Sequence, residues 1–84
     1  MLPFRTEIRN SPTEQTIKIY LYDNALCKEI KSYLEGFKDI QAMEIGDSVA
    51  RNRECKNITI FRKEGVDINT LREELDQHLT NYFK

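Results

Sequence analysis

The chain has 84 residues, 39% hydrophobic and 32% charged, the surface-dominated composition of one small domain with little core to spare for a deep internal pocket. Thirteen basic against 14 acidic residues leave a formal charge of −1, which excludes a general pull toward nucleic acid or anionic membrane and leaves only local patches to supply one. Two cysteines, Cys27 and Cys55, without CxxC spacing exclude a disulfide framework and point to a reducing cytoplasm.

Met1 to Glu7 hold no basic segment followed by an apolar one, so no secretory signal is expected. No apolar run approaches the ~20 residues that span a bilayer. Residues 4–9 alternate Phe4, Thr6 and Ile8 against Arg5, Glu7 and Arg9, the period of a half-buried strand. Asn10 to Gln15 is turn chemistry around Pro12, which cannot donate to a ladder. Thr16 to Tyr22 is the clearest strand, with Ile17, Ile19 and Leu21 on one face and Lys18, Tyr20 and Tyr22 on the other. The short polar spacer predicts a hairpin.

Asp23-Asn24 supplies an N-cap for a helix to about Glu35, with Leu26, Ile30, Leu34 and Tyr33 as its buried stripe. Gly36 stands where a left-handed C-cap is wanted, and Phe37 can fold back on the last turn. A third strand is expected over Ile40 to Val49, then a polar loop at Arg51-Asn52-Arg53-Glu54. From Asn57 to Lys63 the alternation returns, Ile58 and Ile60 facing one way and Thr59 and Phe61 the other. Glu64-Gly65 breaks that strand, Asp67 caps a second helix, and Ile68, Leu71, Leu75, Leu79 and Tyr82 or Phe83 mark its inner stripe.

Strand, helix, strand, strand, helix in residues 16–84 is the order of a ferredoxin-like split βαβ unit. The right-handed crossover rule makes residues 40–49 parallel to 16–22 with 56–63 between them. The first hairpin sets residues 4–9 on the free side of 16–22, where a ferredoxin-like domain carries its last strand. The expectation is one α+β domain over 1–84, a two-layer sandwich in permuted ββαββα order. Its four-stranded antiparallel sheet runs 4–9, 16–22, 56–63, 40–49, with both helices on one face.

Residues 17–79 resemble the heavy-metal-associated domains in apolar spacing. Gly36-Phe37-Lys38-Asp39-Ile40-Gln41-Ala42 is similar to that family's GVxxVxV passage from first helix to second strand. Asn57-Ile58-Thr59-Ile60, followed by Val66-Asp67 and Leu71, is similar to its later strand and second helix. The family's metal motif, MxCxxC, has no counterpart in Tyr22-Asp23-Asn24-Ala25-Leu26-Cys27. The resemblance therefore implies a ferredoxin-like fold and speaks against metal transfer.

No catalytic, phosphate-binding or metal-binding motif is present, so neither an enzyme activity, a small-molecule substrate nor a cofactor is expected. Glu73-Glu74 point about 100° apart on a helix and read as a solvated face. If the helices cover Ile17, Ile19, Leu21, Ile40, Ala42, Ile58 and Ile60, period two sends Tyr20, Tyr22, Met43, Ile45 and Phe61 to the open face, with Lys18 and Lys63 beside them. An apolar sheet face of this kind fits contact with another protein, a second copy first of all. The same face with Lys18, Lys63, Arg51 and Arg53 suits single-stranded nucleic acid, since aromatics fringed by lysine stack unpaired bases. Lys56 to Phe61, however, lacks the glycines and second aromatic of the RNA-recognition consensus. A third reading gathers Cys27, Cys55 and His78 at one end of the domain as a metal site; their long spacings favour a packed Cys27 and an exposed His78 instead.

Overall fold

The structure, a computed structural model, describes residues 4–10, 12–21, 24–50 and 53–84; the side chains of Asn24 and of residues 47–50 and 53–56 fall outside it. In chain order the elements are β1 (Phe4–Asn10), β2 (Gln15–Leu21), α1 (Asn24–Leu34), β3 (Ile40–Ala50), β4 (Arg53–Arg62) and α2 (Ile68–Tyr82). The sheet order is β1-β2-β4-β3 with every neighbour antiparallel, as the split βαβ argument predicts. Ile17, Ile19, Leu21, Ile58 and Ile60 alternate along the two central strands and are all but fully buried. They form one core with Ile30, Leu34, Leu71, Leu75 and Leu79 of the two helices, so both helices lie on one face and the layout is that of a ferredoxin-like sandwich. Large apolar residues at period two dictate this: each such side chain removed from water contributes about 1.5–3 kcal/mol.

The Gly36 and Asp67 caps fall where the sequence places them, while Asp23 and the side chain of Asn24, the expected N-cap of α1, lie outside the described residues. Gly36 takes φ 94°, a left-handed conformation that costs glycine little. Phe37 then donates its N–H to the Leu34 carbonyl at 3.2 Å and meets Tyr33 edge-on at 6.0 Å. The α1 stripe keeps Ile30 and Leu34 fully buried and gains Cys27, while Leu26 and Tyr33 are half-buried against the core. Arg53 and Glu54, expected in the loop, already pair with Ala50 and Val49 as part of β4.

Asp67 caps α2, accepting from the Thr70 N–H at 2.9 Å and the Thr70 hydroxyl at 3.0 Å. Those two bonds hold its carboxyl below the usual carboxylate range. A carboxylate favoured in the folded state stabilises it above the unfolded pKa, and that contribution disappears as pH falls through the lowered folded value. Asp67→Ala is expected to drop the melting temperature near neutral pH, with the gap to the parent closing as pH falls from the ordinary carboxylate range through the lowered folded value. Thermal melts across that range check it; a gap as wide in acid as at neutrality would deny the cap its charge-assisted character.

The third strand departs from the expected alternation. Between Ile40 and Ala42 the β3–β4 register shifts: Ile40 pairs with Arg62, but Ala42 pairs with Phe61. Gln41 is thus the extra residue of a β-bulge, and one extra residue moves everything after it to the other face. Met43 stands directly opposite Ile60, and Ile45 opposite Ile58, and residues directly opposed share a face. Met43 and Ile45 therefore lie on the helix side of the sheet, not on the open face, and Ala42, expected inside, is exposed on the open face.

Candidate interaction surface

Among the described residues, the open face of the sheet and the flank of β3 are candidate surfaces for a partner. No helix covers the open face. Tyr20 is half-buried there beneath its β1 neighbours: the Arg5 guanidinium lies 4.4 Å from the ring centroid and Arg9 Nη2 donates to the phenolic oxygen at 3.4 Å. Glu7 sits between the two arginines, 3.5 Å from Arg9 and 4.0 Å from Arg5. The bond to Tyr20, and then the charge of Glu7, raise the Arg9 pKa above its ordinary value. Phe61, also half-buried, pairs with Thr16, four residues along β2 from Tyr20, which sets the two rings about 13 Å apart.

Lys18 lies between them, opposite Glu7 on one side and Thr59 on the other. Lys63 is exposed beyond the end of β4, its N–H donating to the Asp39 carbonyl at 3.0 Å. Tyr22, Arg51 and the side chain of Arg53 lie outside the described residues. Asn57, buried at 3% exposure and opposite both Tyr20 and Gly46, accounts for the glycine. A Cβ on Gly46 would stand 3.2 Å from the Asn57 side-chain oxygen, tighter than ordinary contact. Among the described residues, the open face without Met43 and Ile45 is a polar, mixed-charge surface with two separated rings.

The second surface is the flank of β3. α1 packs chiefly over β4 and β2, and α2 over β1 and β2; on the helix side of β3, Ile40 is buried and Met43 packs against the core, but the cover thins toward Ile45. Ile45 is 38% exposed, the large hydrophobic residue that stands out among the described residues. It borders a groove whose other wall is Lys28, Lys31 and Ser32 of α1 with Glu35 just past its end, with Lys31 and Glu35 paired at 3.2 Å. These four residues were not expected to form a site. Their place on the polar stripe of α1 and just past its end marks them as exposed, but only the bulge turns Ile45 toward them.

The metal reading loses one of its three members. Cys27 is buried in the first half of α1, whereas His78 packs edge-on against Phe37, 4.9 Å away, beyond the far end of that helix. The seven residues from Cys27 to the end of α1 are about 10 Å of helix. The helices run antiparallel with their gap filled by rings, Tyr33 on Tyr82 at 4.6 Å and Phe37 on His78. The Tyr82 hydroxyl bonds Glu29, which holds its pKa above the ordinary value. Among the described residues no group of three His, Cys, Asp or Glu could hold a metal ion, and no helix is long and apolar enough to cross a membrane.

No family model matches this chain, and no curated protein or solved structure matches it, which leaves its own surfaces as the ground for a functional reading.

Proposed function

We propose that this chain is a non-catalytic binding module of the cytoplasm that works through protein–protein contact, and that the contact surface is the flank of β3 with the groove beside α1. One observation carries this: Ile45 is exposed in the middle of an edge strand. An edge strand offers unpaired N–H and C=O groups to another strand, and an apolar side chain beside them rewards the pairing. Protein ligands of this kind need no cofactor.

Single-stranded nucleic acid on the open face remains the second reading, favoured by Tyr20, Phe61 and Lys18 on a helix-free sheet. Two features weigh against it. The Tyr20 ring is already met by the chain's own guanidinium, and the two rings are too far apart to hold neighbouring stacked bases. Titration of a labelled uridine-rich single-stranded RNA decides between them. Protein contact predicts no saturable binding at low salt and identical traces for the parent and Tyr20→Ala. Saturable binding that falls steeply with salt and vanishes in Tyr20→Ala would move the function to the open face.

A further inference from the structure

We infer that the occupant of the β3 flank is a second copy of this chain, joined through antiparallel β3–β3 pairing about a two-fold axis at Ile45, so that two four-stranded sheets run on as one. This rests on the protein-contact reading above and names its partner.

The two edges of the sheet are treated differently. On β1, the Thr6 hydroxyl donates to Asp76 Oδ1 at 2.6 Å, and Arg72 Nη2 of α2 donates to the Thr6 carbonyl at 3.4 Å. Arg5, Glu7 and Arg9 alternate along the same strand. Helix side chains and closely spaced charges are how natural sheets blunt an edge. On β3 neither device is present among the described residues. The strand is 11 residues long, its bulge lies near one end, and from Met43 to Gly46 it carries a single charge, Glu44.

The strand is also complementary to itself. A two-fold centred on Ile45 opposes Ile45 to Ile45, Glu44 to Gly46 and Met43 to Asp47 of the second copy, and no like charges meet. Centring it one residue earlier would oppose Glu44 to Glu44, and two residues later Asp47 to Asp47, arrangements that destabilise a sheet. With the axis normal to the sheet, paired residues differ by an even number, so both Ile45 side chains stay on the helix side. Each then covers the other, on a shared floor between the two Lys28–Lys31 walls. A net charge of −1 per chain gives no general repulsion between copies. Because the contact is essentially one strand wide, association is expected to depend on protein concentration.

The test is Ile45→Cys in the intact chain, oxidised gently in air and run on a non-reducing gel, with Lys18→Cys on the open face and the parent chain as controls. A two-fold at residue 45 brings the two thiols together. Cross-linked dimer should dominate for Ile45→Cys only, while light scattering of the parent shows a mass approaching twice that of the chain as concentration rises. Ile45→Lys should keep its circular dichroism and weaken dimerisation by roughly tenfold or more. A parent chain monomeric at every concentration overturns the inference, as does a dimer that neither cross-links at position 45 nor responds to Ile45→Lys. The failures are separable. A monomer indifferent to single-stranded RNA removes the second copy and leaves contact with a different protein standing; a monomer that binds RNA through Tyr20 removes both.

Discussion

Replacing Ile19 with alanine is expected to lower the unfolding free energy by about 2–5 kcal/mol. Ile19 is fully buried, and it sits on a central strand with Thr6 opposite on one side and Ile58 on the other. Sheet and helices close around it, so the site cannot collapse to fill the lost volume, and the cavity adds to the lost transfer energy. A domain of this length has roughly 4–13 kcal/mol to lose, so the variant stands near the edge of folding at body temperature. Ile8 points to the same face but is half-buried on β1; Ile8→Ala should cost about 1 kcal/mol or less. Urea unfolding checks both: the Ile19→Ala midpoint should fall sharply with the slope unchanged. A loss no greater than that of Ile8→Ala would show that the centre of the sheet is not the centre of the core.

The central strands were legible because burial on one face writes period two into the sequence. Ile17, Ile19 and Leu21, then Ile58 and Ile60, leave no choice of face, and their order with the two helical stripes leaves one economical topology. Gly36 and Asp67 were legible for a different reason: a left-handed cap and a side-chain cap each need a particular residue type. Tyr20 and Phe61 follow from their strands and stand on the open face as expected.

β3 was not legible in the same way, although a trace of the bulge was there. Ile40 and Ala42 stand at even positions, Met43 and Ile45 at odd ones, so the apolar parity changes within one strand. Read as a regular strand, that change assigns Met43 and Ile45 to the open face; read as an inserted residue, it keeps all but Ala42 inside. Alanine is small enough for either side, so the sequence does not choose. The choice is made by long-range packing of Met43 against the core. The place of His78 is long-range too: how far α2 slides past α1 is set by the seating of Phe37 and Tyr82 in the gap between the helices.

Two deletions in β3 turn that ambiguity into opposite results. Removing Gln41 is expected to leave stability within about 1 kcal/mol of the parent and the dimer intact. It takes away the unpaired residue of the bulge, so Ile40 stays inside, Ala42 outside and Met43 inside, and the pairing of residues 42–50 with β4 need not move. Removing Glu44 takes the same length from a regular part of the ladder. Ile45 then falls into the open-face position that Glu44 held, opposite Thr59, and the rest of the hairpin must slip by one residue to follow. That slip is expected to cost about 1–3 kcal/mol, and it abolishes self-pairing because Ile45 no longer lies at the two-fold on the helix side. Thermal melts and solution mass of the two variants, side by side, give the answer. If the Gln41 deletion proves the damaging one and the Glu44 deletion is tolerated, the register change lies elsewhere. Met43 and Ile45 would then return to the open face, and the apolar patch with Tyr20 and Phe61 would be the surface to which a partner binds.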